Sequence, residues 1–234
     1  PEELSVLVVN TFTERSLSGR QLAAYTRNRF AYSMALEILR QEMRRTGDYD
    51  GETVARMDRL AHVTPEALGG LERLYGLLAR VPESLPVDAL RERYRLPELD
   101  ITWQRCFGGV PRDAWPATID LRGPLLFGIA ESERARLFLP ALAEGHYHRA
   151  GLLMTVGHDG DRVTRPAGGP NDVAATDAAL AQWREERRPL ELCPGSYGAS
   201  SPVLDAVVDA ALEAGALGAC LTGGGIAGAV LALC

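Results

Sequence analysis

The residues with the most chemical potential stand at the tail, where "LTGGGIAGAVLAL", residues 221–233, sets Gly223, Gly225 and Gly228 in a G-x-G-x-x-G spacing. Glycines so spaced can lay a phosphate against bare backbone at the N-terminus of a following helix. Here the six residues after Gly228, AVLALC, are too few to build that helix, so a dinucleotide site is not expected. A plain turn between two strands needs at most two special residues, yet five of the six positions 223–228 are Gly or Ala. That surplus predicts that something approaches the backbone closely, either a ligand or another domain.

The other candidates are weaker. His146 and His148 form an H-x-H pair and His158 stands beside Asp159 and Asp161. On a helix, residues i and i+2 point apart, whereas helical metal pairs use i and i+4, so solvated residues and no metal are expected. "HDGDRV" reads as a turn in which Asp159 or Asp161 bonds nearby backbone amides. Ser196 lacks a nucleophile elbow, because Pro194 occupies its first glycine position. No lysine occurs, so all 25 basic residues are arginine and a phosphate loop of the G-x-x-x-x-G-K-[ST] kind is excluded. Cys106, Cys193, Cys220 and Cys234 are widely spaced, which predicts reduced thiols and neither a disulfide framework nor structural zinc.

These residues must be positioned by a chain of 234 residues that is 46% hydrophobic, enough for a sizeable core. A net charge of −6 without blocks of like charge speaks against nucleic acid and for a small-molecule ligand. The apolar stretches Ala214–Leu221 and Ile226–Leu233 are too short to span a bilayer, and no basic-then-apolar start is present. A cytoplasmic protein with no membrane partner is expected.

Along the chain, "SVLVVN" (Ser5–Asn10) predicts a buried strand. A long helix follows from Gln21 to Arg45, with Leu22, Tyr25, Arg29, Met34, Ile38 and Leu39 at helical spacing and Gly47 as stop. Thr64-Pro65-Glu66 predicts a capped helix running to Val81, and a shorter helix spans Val87–Tyr94. Leu96–Pro124 reads as irregular with a strand near Ile101. Leu126–Ala143 and His146–Val156 form a helix hairpin around Gly145, followed by a loop over Gly157–Asp172 and a polar helix over Asp172–Arg187. Ser200 or Ser201 caps a last helix from Pro202 to Glu213, Gly215 stops it, and the tail is strand, glycine turn, strand.

Tyr197–Leu233 resembles the closing segment of galactokinases, in the GHMP family of small-molecule kinases, where a "cS-P-elD" helix start precedes "T-G-G-G-f-G-G". The front, "LVVNTFTERSLSGRQLAAYTRNRF", is similar to the galactokinase strand "vvv-n-S-n-v-r-r-x-L" and its Tyr-containing helix start. "LLFGIAESERARLF" resembles the family helix with "h-v-x-x-E-n-x-R", and the segment holding "LPVDALRERY" is closer to the arabinokinase branch.

The expected fold over residues 1–234 is α+β, a small antiparallel sheet built from the first strand, the tail pair and at most one other strand and covered by helices on one face, in keeping with the resemblance. The resemblance implies an active-site loop of Thr222, Gly223, Gly224, Gly225 and Gly228, with Ala227 where the family has glycine, and a sugar-contacting Tyr25 whose spacing to Arg27 and Arg29 departs by a residue or two. It further implies transfer of the ATP γ-phosphate to a monosaccharide hydroxyl, with ATP and Mg2+ bound mainly by an N-terminal half. That half's motifs, G-R-x-N-l-i-G-E-H-x-D-Y, P-x-x-x-G-L-S-S-S-A and an M-D-Q-like aspartate, do not occur in these residues. The chain alone is therefore expected to be inactive, its partner an N-terminal kinase half in cis or as a separate chain. The alternative is a kinase-derived module that binds a sugar or a protein without catalysis.

Overall fold

The computed structural model describes residues 4–13, 19–171 and 175–234. Strand β1 (Val6–Asn10) precedes the long helix α1 (Gly19–Thr46), then α2 (Gly51–Arg56), α3 (Pro65–Leu68) and α4 (Leu71–Leu78). Next come β2 (Ser84–Pro86), α5 (Val87–Arg93), α6 (Leu99–Phe107), β3 (Thr118–Asp120) and the hairpin of α7 (Arg122–Ala143) with α8 (Tyr147–Asp161). Helices α9 (Asp177–Glu185) and α10 (Pro202–Glu213) and strands β4 (Gly218–Leu221) and β5 (Ala229–Leu233) complete an α+β architecture. No described helix is long and apolar enough to cross a membrane.

The helical body is organised on α1. Its stripe of Phe30, Ala31, Met34, Ala35, Ile38, Leu39 and Met43 is buried at helical spacing, and Gly47 ends the helix at φ +74°. Arg29, expected on that stripe, is exposed, and its guanidinium lies 5.9 Å from the Tyr25 ring centre. The Leu22 side chain lies outside the described residues. The single helix expected from Thr64 to Val81 is two, α3 and α4, because Gly69 and Gly70 take φ +82° and +119° between them. Thr64 does cap α3, accepting from the Ala67 N–H at 3.2 Å.

Residues 96–124 are more ordered than their composition suggests. Trp103 and Phe107, four residues apart on α6, pack on Phe30 with ring centres 5.3 and 5.8 Å away. Ile101 therefore belongs to an exposed helical position rather than to a strand, and β3 instead pairs with β2 through Leu85 and Ile119. The buried Arg122 guanidinium binds the carbonyls of Val81 (2.8 Å), Ala79 (3.1 Å) and Ala175 (3.1 Å), so one planar fork joins three turns of chain.

Helix α8 continues through His158 to Asp161, where a loop was expected. Its glycines there serve close packing: a Cβ on Gly160 would run into the Pro194 carbonyl oxygen and the Phe127 ring, and one on Gly157 would stand 2.9 Å from the Glu131 carboxylate. Tertiary contact thus overrides local turn composition. Residues 172–174, at the expected start of the polar helix, lie outside the described ones, and α9 begins at Asp177 under a Thr176 cap.

The main sheet is antiparallel with order β1-β5-β4. Side chains alternate between its faces. Leu204 and Val208 of α10 cover Ala219, Val230 and Ala232 on one side, while Ala141 of α7 and Ala150 of α8 pack on Leu233. Helices therefore cover both faces of β4 and β5, not the single face expected. Strand β1 differs from its expectation more sharply. It pairs with β5 from Val6↔Leu233 to Asn10↔Ala229, yet Val6, Leu7 and Val8 are 59%, 52% and 68% exposed. A β-branched run signals a strand, but burial needs a covering layer, and among the described residues none reaches β1.

Candidate functional site

The glycine loop joins β4 to β5 and is tied at both ends. The Thr222 N–H donates to the Ala229 carbonyl at 3.0 Å. The Gly228 carbonyl accepts from both the N–H (2.9 Å) and the hydroxyl (2.6 Å) of Thr11, just past β1. G-x-G-x-x-G is followed here by strand β5 rather than by a helix, so no helix N-terminus faces the loop.

The small residues answer to two different demands. Gly225 takes φ +74°, and a Cβ there would collide with the Ala199 carbonyl, which also accepts the Ile226 N–H at 2.6 Å. The close approach expected at the loop is thus made, at Gly225, by the chain's own residue 199. At Gly223 and Gly228 a Cβ would meet nothing within 4 Å, and Gly223 and Gly224 are exposed. The loop has a packed floor and a bare, open rim. Ala227 is buried, so its methyl does not obstruct that rim.

The floor is built by the end of α8. The Gly160 carbonyl accepts the N–H groups of Tyr197 (2.7 Å) and Gly198 (3.1 Å), and the Asp161 carbonyl accepts that of Ser200 (2.9 Å). The Asp161 carboxylate takes the Ala199 N–H at 3.4 Å. Its pKa is pushed up to about 7, mainly by burial and then by the Glu131 carboxylate, while the Ala199 N–H and Arg134 pull the other way. A carboxyl that exchanges its proton near neutrality therefore lies one residue layer beneath Gly225. The Cys220 thiol is pushed up to about 12, by burial and then by Glu131 and Asp161, so it stays protonated and unreactive.

Tyr197 anchors the same segment from the side. Its ring is stacked between Tyr32 (4.9 Å) and Phe127 (5.0 Å), and burial above all pushes its pKa up to about 12. Asn28 of α1 donates to the Tyr197 carbonyl at 2.6 Å. Tyr25, one turn earlier, is half-buried and close enough for its phenol to act electrostatically on Tyr197. Tyr25 and the glycine loop thus approach one segment, residues 197–200, from opposite ends of the sequence.

Of His146, His148 and His158, two stand in solvent as expected and one does not. His146 and His148 are exposed, and His146 Nδ1 sits 3.3 Å from Glu144. His158, expected in a solvated loop, is 1% exposed on α8. Its Nδ1 accepts the Leu221 N–H at 3.4 Å and its Nε2 stands 3.2 Å from Asp205 Oδ1. Asp205 Oδ2 receives the Val163 N–H, the Thr164 N–H and the Thr164 hydroxyl at 2.8–3.0 Å. Burial works against the Asp205 charge, but the polar groups of His158, Ser200 and Thr164 around it outweigh it and hold the carboxyl well below its usual range. Asp159 leaves the expected turn to pair with Arg162 at 3.0 Å.

Sequence reasoning missed residues 197–200, Asp161 and Asp205 as the loop's supports. The only signal available was the position of Asp205, polar yet on the inward stripe of α10 beside Leu204 and Val208. Among the described residues no group of three His, Cys, Asp or Glu side chains could hold a metal ion. The four cysteines are unbridged.

No curated protein matches this chain. The family model of the GHMP kinases C-terminal domain matches residues 172–234, the stretch that holds the Tyr197 floor, α10, β4, the glycine loop and β5, so the candidate site is similar to that domain of the GHMP kinases.

Proposed function

We propose that this chain is the C-terminal part of a galactokinase-like sugar kinase, which transfers the ATP γ-phosphate to a monosaccharide hydroxyl when joined to an N-terminal lobe, in cis or as a separate chain. The observation that carries this is the glycine loop, supported from below by Ala199 and left without side chains at Gly223, Gly224 and Gly228. Phosphoryl transfer is mostly positioning and charge stabilisation around the phosphates. Bare backbone at the rim lets a phosphate-binding loop of another lobe, and the nucleotide it holds, come within van der Waals reach. In this reading Mg2+ and most nucleotide contacts belong to the N-terminal lobe, as the resemblance to galactokinases implies. Tyr25, whose phenol acts on Tyr197, is the sugar-facing group of this part.

The exposed apolar face of β1, with Phe12 89% exposed just beyond it, supports the same reading, because it supplies dry surface next to the loop on which a second lobe can seat. The test is sugar-dependent ADP formation by this chain co-expressed with the N-terminal lobe of a galactokinase, across a panel of monosaccharides. Turnover that requires both parts supports the proposal. Absence of turnover with every sugar, together with tight sugar binding by this chain alone in calorimetry, replaces it with a non-catalytic binding module.

A further inference from the structure

We infer that His158 is a positioning residue, a neutral imidazole that clamps the last peptide of β4, and with it the glycine loop, to the Asp205 carboxylate on α10. For its effect on turnover this rests on the kinase reading above; the clamp itself does not. Strand β4 lies at an edge of the sheet, so alternate N–H groups face away from β5. Two of them are met by side chains on α8: the Ala219 N–H by Thr155 Oγ1 and the Leu221 N–H by His158 Nδ1, each at 3.4 Å. Leu221 is the residue immediately before Thr222.

The chemistry of the two partners fixes the ring. A backbone N–H can only donate, so Nδ1 is bare and the neutral ring carries its proton on Nε2, which lies 3.2 Å from Asp205 Oδ1 in a buried contact whose angle falls short of a hydrogen bond. The second Asp205 oxygen is saturated by residues 163 and 164. One buried carboxylate thereby joins α10, the 163–164 strap and α8, and the imidazole extends the junction to the start of the glycine loop. A helix packed on β4 through apolar contacts alone would leave that last N–H buried and unpaired.

Two substitutions separate the ring's two ends. His158→Asn places an acceptor near the position of Nδ1 and loses the donor; His158→Gln places a donor near Nε2 and loses the acceptor. In hydrogen exchange of the full chain, the Leu221 and Thr222 amides should exchange roughly five- to tenfold faster in His158→Gln than in His158→Asn, the size expected for loss of one net hydrogen bond. The Ile38 amide of α1 should be unchanged in both. Equal Leu221 exchange in the two variants overturns the clamp. The unmodified chain provides a readout that needs no variant: the 15N shifts of the His158 ring must report the Nε2–H tautomer, and an Nδ1–H ring overturns the assignment. In the two-lobe enzyme, kcat should fall further for Gln than for Asn with the sugar KM unmoved. If the two-lobe enzyme shows no turnover at all, the kinase reading fails while the exchange and tautomer results still decide the clamp.

Discussion

The two edges of the three-stranded sheet have been treated in opposite ways. At β4, helix α8 lies along the edge, receives two of its N–H groups on Thr155 and His158, and approaches so closely that a Cβ on Gly151 or Gly218 would collide with the opposite backbone. At β1 the strand is paired to β5 and closed at its start by reciprocal Ser5–Cys234 bonds of 2.8 and 2.9 Å, but its apolar side chains stay in solvent. Proteins ordinarily blunt an exposed edge with charge, proline or a covering element, and the described part of β1 carries none of these. One edge is sealed by the chain itself; the other keeps its apolar side chains exposed among the described residues. The glycine loop lies between them, tied to α8 through Ala199 and Leu221 and to the β1 side through Thr11.

That contrast can be broken in order of expected effect. Gly218→Val forces a side chain into the α8 backbone, and thermal melting should reveal a loss of about 4 kcal/mol or failure to fold; a variant that melts like the parent would mean that the sealed edge is not tightly packed. Gly225→Ala strains a left-handed residue and presses on Ala199, at about 2–3 kcal/mol, and in the two-lobe enzyme it should depress kcat beyond what the melting shift explains. A loss confined to stability would reduce the loop to a structural turn.

Asp161→Asn tests the floor between the edges. In the folded chain this carboxyl titrates near 7, whereas in the unfolded chain it titrates at an ordinary carboxylate value of about 3.9. The folded state therefore binds more protons between those limits, and the contribution of this group to stability is lost as pH rises from about 4 through about 7. The amide keeps an acceptor for the Ala199 N–H without the charge. Melting of the variant at pH 8 should be higher than that of the parent by roughly 2–4 °C, with the advantage vanishing toward pH 4. An advantage independent of pH would remove the titration from the account. The smallest effect belongs to the open edge: Val8→Ser should change the stability of this chain by less than about 0.5 kcal/mol while weakening its association with the partner lobe. A large loss in the chain alone would mean that β1 is already covered.

Much of this organisation was legible in local chemistry. The Gly47 stop, the Thr64 and Ser201 caps, the Gly145 hairpin and the tail of strand, glycine turn and strand follow from single-residue preferences that tertiary packing leaves alone. The failures have a common physical origin in long-range contact. Leu96–Pro124 holds α6 because Trp103 and Phe107 find Phe30, 70 or more positions earlier in the chain. The turn-rich "GHDGD" stays helical because its glycines admit Pro194, Phe127 and Glu131. His158 looked solvated beside two aspartates, and only the fold brings it to Leu221 and to Asp205, 47 positions away. Of the candidate site, the glycine rim could be read directly, whereas its floor at residues 197–200 could not, since nothing in "YGAS" announces that a helix end will hold it.

The buried arginines carry a practical consequence. With no lysine in the chain, trypsin can cut only after arginine, and Arg122, Arg134 and Arg162 are sealed inside carbonyl and carboxylate shells. Limited digestion should therefore nick the outer arginines of α1 and the stretch 184–188 first and spare those three. Their eventual cleavage becomes a clock for opening of the whole domain.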